Sequence, residues 1–200
     1  MTHHETPASE TASRPAVAGG ALRPAVILGG NRIPFARANT AYAEVGNQEM
    51  LTATLDGLVA RFGLQGERLG QVTAGAVLKH PRNFNLTREA VLGSALSAAT
   101  PAADVQVACA TGMEALGTLA NKIRLGQLDS AIGGGVDSIS DAPVSLSDGA
   151  RRVLLQLNTA KTMKDRLRAL AQLRPGQLVP EPAGAGEPRT SMSTVSYTHL

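Results

Sequence analysis

Apolar residues in the first two thirds of the chain recur at two spacings, one typical of helices and one typical of strands. The clearest helical set lies between Asn47 and Phe62 and consists of Leu51, Leu55, Leu58 and Phe62. These positions fall on one helical face, and Gly63 follows as a common type of helix stop. The pattern therefore predicts a helix over Asn47–Phe62 that packs on a sheet.

Short apolar or alternating runs between the helical segments predict strands. Four such runs occupy residues 25–28, 71–78, 105–107 and 129–132. Two further helices are predicted, one over 87–98 and one from Met113 to a stop at Gly126. Strands that alternate with helices indicate a mostly parallel sheet with right-handed crossovers, so the predicted fold class is α/β.

After Pro143 the pattern changes to an amphipathic and basic one. Residues 151–174 hold seven basic side chains and one acidic side chain, Asp165, together with apolar positions at helical spacing. The segment is predicted to be an amphipathic helix or helix pair with a basic face. That face is either simply solvated or suited to an anionic partner, and contact with a membrane surface is left open. Residues 175–188 are rich in Pro, Gly and Ala and predict an extended connector.

Composition narrows the class of protein. The chain has 200 residues, 43% of them hydrophobic and 18% charged, which is typical of a soluble globular protein. A net charge of +3 and only 2% aromatic residues argue against nucleic-acid binding. A single cysteine excludes an intramolecular disulfide and fits a reducing compartment. Without a long apolar run or a signal-peptide core, a cytoplasmic location is expected.

The single cysteine, Cys109, lies where a predicted strand gives way to a predicted helix. The first N–H groups of a helix favour the thiolate form, and ligand sites in α/β sheets gather at the carboxyl ends of the strands. Small neighbours, Ala108, Ala110 and Gly112, would let a substrate approach the sulfur. The alternative is a buried and inert cysteine.

Other candidate residues have weaker support. His80 lies beside Pro81 in a predicted loop, and with no acidic residue close in sequence it is a poor candidate for a catalytic base. His3 and His4 lie in a predicted disordered leader. Gly29 and Gly30 lack the third glycine of a dinucleotide-binding fingerprint. No metal site is predicted.

The motifs around Cys109 resemble those of the thiolase family. There, a nucleophilic cysteine in a Cys-small-Ser/Thr-Gly setting opens a helix, and a Gly-Gly-x-Glu/Asp-Ser-x-Ser run follows the next strand. The corresponding residues here are Cys109 to Gly112 and Gly134 to Ser140, with Asp137 in place of the commoner Glu. The branch that contains the β-subunit of the trifunctional fatty-acid oxidation complex is the most similar. The residues that carry this second resemblance are Arg32, Pro34, Phe35, Ala36, Arg37, Asn85, Arg88, Asp141 and Pro143, together with the segment over 151–158.

The resemblance covers residues 24 to 190 and implies half of a layered thiolase-like fold. The expected organisation is a disordered leader over 1–22, the N-terminal α/β domain over 23–143, part of a helical loop domain over 144–190 and an atypical tail over 191–200. The tail, which includes His199, is similar to a translated sequencing-library adapter. We therefore expect a chain truncated at its C-terminal side, which lacks the histidine and the second cysteine that thiolases carry in their C-terminal domain.

The function implied by the resemblance is that of an acetyl-CoA C-acyltransferase. Cys109 would be the acyl-accepting nucleophile, coenzyme A would be a substrate, and no cofactor would be tightly bound. A homo-oligomer and a fatty-acid oxidation α-subunit are the implied protein partners. Two alternatives remain open: a β-ketoacyl synthase that uses acyl-carrier-protein substrates, and a non-catalytic acyl-CoA-binding or assembly subunit.

Overall fold

The computed structural model describes residues 22–143 and 146–178 of the chain. The described residues divide into two compact units, one that ends at Asp141 and one that begins at Ala142. The predicted leader, except for Leu22, and the predicted atypical tail lie outside the described residues, as do His3, His4 and His199.

The first unit is built on a parallel sheet with the strand order β2–β1–β3. The strands are β1 at Gln71–Ala74, β2 at Ala102–Asp104 and β3 at Ala131–Gly133. The central β1 pairs Thr73 with Ala103 on one side and with Gly133 on the other. Because all three strands run in the same direction, the segments that follow them leave the sheet at one edge, here called the carboxyl edge.

Three helices flank this sheet: α1 at Asn47–Phe62, α2 at Leu86–Gly93 and α3 at Thr111–Arg124. The predicted bounds of α1 are confirmed, because both ends are set locally. Glu49 accepts a hydrogen bond from the Gly46 N–H at 2.8 Å, and Gly63 ends the helix at a φ of 65°. Leu55 and Val59 of α1 pack in one core with β1 and α2.

The strand predicted over 25–28 is wrong. Val26, Ile27 and Leu28 are between 71% and 85% exposed, and in the part of the chain that the structure describes they pair with no strand. The flanking chain hydrogen-bonds to helices instead: the Arg23 N–H donates to the Arg124 carbonyl, and Asn31 donates to Thr54 in α1. An apolar run indicates that its side chains favour burial, but it does not show that a neighbouring strand is available to pair with its backbone.

The other predicted elements form with shifted bounds. The strand predicted over 71–78 ends at Ala74, the strand predicted over 105–107 forms three residues earlier, and the strand predicted over 129–132 forms over Ala131–Gly133. The helix predicted over 87–98 ends at Gly93, where the Ser94 hydroxyl donates to the Val91 carbonyl. The predicted fold class, a mostly parallel sheet with flanking helices, is confirmed, and the residues that the structure describes contain three strands in place of four.

The second unit contains the helix pair α4, Asp148–Thr159, and α5, Met163–Leu170, followed by a short 3₁₀ turn over Pro175–Leu178. The amphipathic segment predicted over 151–174 is therefore two helices. A new helix begins after Thr162 because its hydroxyl accepts a hydrogen bond from the Asp165 N–H at 3.2 Å. In the described ranges, no helix has the length and apolarity required to span a bilayer.

Replacement of Leu86 by alanine should test the core of the first unit. Leu86 is fully buried in α2, whereas Leu92 of the same helix is 48% exposed. We expect Leu86→Ala to lower the free energy of unfolding by about 2–5 kcal/mol, because it removes buried methyl groups and leaves a cavity. The matched change Leu92→Ala should cost about 1 kcal/mol or less. Urea denaturation of both variants measures the difference, and equal losses would contradict this description of the core.

Candidate active site

Cys109 is exposed and lies two residues before α3 begins at Thr111. The chain turns sharply here, since the Ala110 N–H donates to the Val107 carbonyl and the Thr111 N–H donates to the Ala108 carbonyl. We call residues 107–111 the Cys109 elbow. Its exposure is the opposite of what the inert, buried alternative requires.

Thr111 closes the elbow with its side chain. Its hydroxyl accepts a hydrogen bond from the Val107 N–H at 3.0 Å and donates one to the Ala108 carbonyl at 2.7 Å. Between these two contacts, Ala108 has a φ of 45°, a left-handed conformation that alanine rarely adopts. Such strain persists only where the surroundings hold the backbone in place. Thr111, the threonine of the motif, therefore stabilises the backbone turn that carries Cys109.

Glycines allow the three segments of the carboxyl edge to meet closely around the elbow. A Cβ atom on Gly75, directly after β1, would overlap the Val105 carbonyl oxygen and would lie 2.9 Å from Thr111 Cγ2. A Cβ atom on Gly135, after β3, would lie 3.3 Å from the Gly75 carbonyl oxygen. Side chains at these positions would push the segments apart, so the small residues fix the approach of the backbones.

Asp137 belongs to the Gly-Gly-x-Asp run that follows β3. Its two carboxylate oxygens accept hydrogen bonds from the N–H groups of Val77 and Leu78, each at 2.9 Å. The motif residue thus binds backbone of the segment after β1.

Asp104, the last residue of β2, connects the sheet to α2. Its carboxylate accepts hydrogen bonds from the N–H groups of Leu86 and Thr87 and from Lys79 Nζ, at distances of 2.8 to 3.1 Å. Burial raises the pKa of this carboxyl group, but the hydrogen bonds and the charge of Lys79 outweigh burial and hold its pKa below the ordinary value of 3.8. The Asp104 carboxylate therefore stabilises the start of α2 only while it is ionised.

His80 has an acidic partner that its sequence neighbourhood does not reveal. Its Nε2 atom lies 2.9 Å from Oδ1 of Asp141, 61 residues further on, and Arg82 lies 3.5 Å from the other carboxylate oxygen. No hydrogen bond among the described residues joins His80 to Cys109. In the same ranges, no group of three His, Cys, Asp or Glu side chains could hold a metal ion.

Sequence reasoning missed the roles of Asp104 and Asp141, although a signal was present. Each follows a strand of the parallel sheet, Asp104 at the end of β2 and Asp141 in the segment after β3. Since the carboxyl ends of parallel strands meet at one edge, both acids could have been assigned to the region of Cys109. Their partners could not have been assigned, because Lys79 and His80 lie in a predicted loop, 25 and 61 residues away from the acids that they bind.

Comparison with known proteins gives consistent results. Residues 25–173 match the family model described as thiolase, N-terminal domain. The chain is 34% identical over 178 residues to the mitochondrial trifunctional enzyme subunit beta of Mus musculus, covering 89% of this chain and 38% of that protein. It is 36% identical over 166 residues to the 3-ketoacyl-CoA thiolase of Photorhabdus laumondii, covering 83% of this chain and 38% of that protein.

Among solved structures, the acetyl-CoA acetyltransferase of Bacillus anthracis is similar with a TM-score of 0.60 and 26% sequence identity. The similarity covers 64% of this chain and 32% of that chain. The chain thus spans about two fifths of the length of the curated relatives described above.

Gly75→Ala should test the close approach of the segments. We expect the added methyl group to lower the free energy of unfolding by about 1–3 kcal/mol, because the Val105 backbone would have to move. Gly134→Ala is the matched control, since a Cβ atom there meets nothing within 4 Å. Thermal unfolding of both variants measures the effect, and an equally tolerated Gly75→Ala would show that the segments are further apart.

Asp104 should make stability depend on pH in the acidic range. Because its pKa is lower in the folded state, its contribution is present above the ordinary value of 3.8 and is lost as the pH falls through the folded-state pKa. Asp104→Asn should therefore be less stable than the parent near neutral pH, and the difference should shrink below about pH 4. Urea denaturation at several pH values tests this, with the exposed Asp148→Asn as a control. A difference that stays constant with pH would refute the assignment.

Proposed function

Because the chain belongs to the thiolase family, we propose that Cys109 is the nucleophile of an acyl-transfer reaction on coenzyme A thioesters. The observation that carries this proposal is the geometry of the motif cysteine, which is exposed on a strained elbow at the start of α3. Its exposed thiol is accessible to a substrate directly before the first turn of α3.

The reaction that fits this nucleophile is thiolysis of a 3-ketoacyl-CoA. The Cys109 thiolate attacks the keto carbon, the bond between the α-carbon and the keto carbon breaks, and its electron pair leaves with acetyl-CoA as an enolate that takes up a proton. The acyl group remains on sulfur until the thiolate of free coenzyme A attacks it and restores the cysteine. The same steps in reverse form a carbon–carbon bond by Claisen condensation.

Two further parts of this machinery would come from other regions. The cysteine needs a general base, and His80 is engaged by Asp141 rather than by the elbow. We propose that the base lies in the region of the longer relatives that this chain does not cover. In the second unit, α4 and α5 border a cavity of about 390 Å³ whose lining includes Lys161 and Arg168. Their charges suit coenzyme A phosphates.

Coenzyme A is thus proposed as a substrate rather than as a tightly bound cofactor. The similarity to a protein named as a subunit beta supports, as a proposal, an α-subunit partner in addition to a homo-oligomer. Contact with a membrane surface through the basic helix pair and a cytoplasmic location stay predictions from sequence.

A chimera tests the proposed reaction at full length. Residues 25–173 would replace the matching segment of the Photorhabdus laumondii 3-ketoacyl-CoA thiolase, and thiolysis of acetoacetyl-CoA would be measured. We expect activity in the chimera and a loss by a factor of about 10³ or more in Cys109→Ala, because the acyl group would have no acceptor. His80→Ala serves as the control and should retain far more activity than Cys109→Ala.

The same chimera separates the alternatives. Transfer to an acyl carrier protein but not to coenzyme A would favour a condensing enzyme of the β-ketoacyl synthase type. Binding of acyl-CoA without acyl transfer, in a chimera with the folded stability of its parent, would favour a non-catalytic subunit.

A further inference from the structure

We propose that Asp137 is a positioning residue that holds the Cys109 elbow in its reactive conformation through the segment that follows β1. This inference rests on the proposed function, since it assigns a role toward the same cysteine. It concerns a carboxylate that contacts neither Cys109 nor the rest of the elbow by hydrogen bonding among the described residues.

Asp137 binds the segment after β1 through both of its carboxylate oxygens. Each of its carboxylate oxygens takes one backbone N–H, from Val77 and Leu78, at 2.9 Å. Hydrogen bonds to an ionised acceptor are stronger than those between neutral groups, and two parallel bonds also fix orientation. An exposed aspartate would ordinarily be solvated, so the use of both oxygens on consecutive backbone groups is a specific arrangement.

Side chains from other segments also bind the backbone of residues 75–80, here called the β1 loop. Its carbonyl groups are also bound: Asn47 donates to Leu78 at 2.7 Å, and Gln106 donates to Val77 at 3.2 Å. Asn47 is only 1% exposed, so this contact is shielded from solvent. Of the three side chains, Asp137 is the one that accepts hydrogen bonds from two backbone N–H groups of the β1 loop.

The β1 loop contacts the chain on both sides of Ala108 in the elbow. Gln106, which binds Val77, directly precedes the elbow in sequence. At the other end of the loop, Gly75 lies against the Val105 carbonyl and the Thr111 methyl group. Thr111 in turn holds Ala108 in its left-handed conformation. A displacement of Val77 and Leu78 would therefore be transmitted to both sides of the strained residue that precedes Cys109.

Chemistry explains why a carboxylate is needed at this position. An asparagine side chain has one acceptor oxygen and one NH₂ donor, so it can accept one of the two backbone N–H groups and would present donors to the other. A glutamate retains two acceptor oxygens on a longer stem. The substitution series Asp137→Asn and Asp137→Glu therefore separates the grip itself from side-chain size.

The test is the rate of Cys109 alkylation by iodoacetamide as a function of pH, measured on this full chain. The reaction is specific because the chain has a single cysteine. We expect Asp137→Asn to slow alkylation near neutral pH by about 3-fold or more, since the elbow would no longer hold the sulfur in one position at the start of α3. Asp137→Glu should recover most of the rate. Hydrogen exchange should accelerate at the Val77 and Leu78 amides in Asp137→Asn.

Two controls separate positioning from general destabilisation. Val59→Ala removes buried core contacts in α1 and should lower the unfolding temperature without changing the alkylation profile. Asp148→Asn changes an exposed carboxylate that pairs with Arg151 and should alter neither quantity. An alkylation profile in Asp137→Asn equal to that of the parent, with or without lost stability, would overturn the inference.

The chimera tests the proposed function separately, because it also contains the region in which the general base is placed. If the chimera shows no thiolysis with its Cys109 intact, the proposed function fails whatever the alkylation rates are. If the chimera catalyses thiolysis and Asp137→Asn of this chain is alkylated like the parent, only the positioning role is refuted.

Discussion

Parallel pairing of β1 with a strand on each side is the constraint on which the rest of the first unit depends. It directs three segments that are distant in sequence to one edge of the sheet, where glycines let their backbones meet. Each segment contributes a different part: the β1 loop, the Cys109 elbow and the Asp137 run. The β1 loop and the Asp137 run have no regular secondary structure where they meet, so the hydrogen bonds that Asp137 and the Val136 N–H make to the β1 loop take the place of a strand ladder.

The extent to which the sequence predicted this structure varied with the range of the interactions involved. The helix over Asn47–Phe62 was predicted at its true bounds because its apolar face, Glu49 and Gly63 act within a few residues. Strand β1 is shorter than predicted because Asn47 and Asp137 bind the backbone of residues 77 and 78, and such partners are invisible to a local pattern. The run over 25–28 failed because the residues that flank it hydrogen-bond to α3 and α1 rather than to a strand.

For the site too, local features could be predicted from the sequence and long-range contacts could not. The position of Cys109 before a helix followed from spacing and from the resemblance to thiolases, and the structure places it there, exposed. The pairing of His80 with Asp141 and of Lys79 with Asp104 required the fold, because the partners lie 61 and 25 residues apart. What could have been inferred is their shared location, since acids that follow parallel strands arrive at the same edge.

The exposed run Val26, Ile27 and Leu28 has a practical consequence for work on this chain. In the described residues β3 forms one side of the sheet with no strand beyond it, and three large aliphatic side chains lie exposed in the same unit. Open parallel edges and uncovered apolar side chains promote self-association between copies of a protein. Recombinant preparations should therefore be handled dilute, and light scattering should accompany each kinetic measurement.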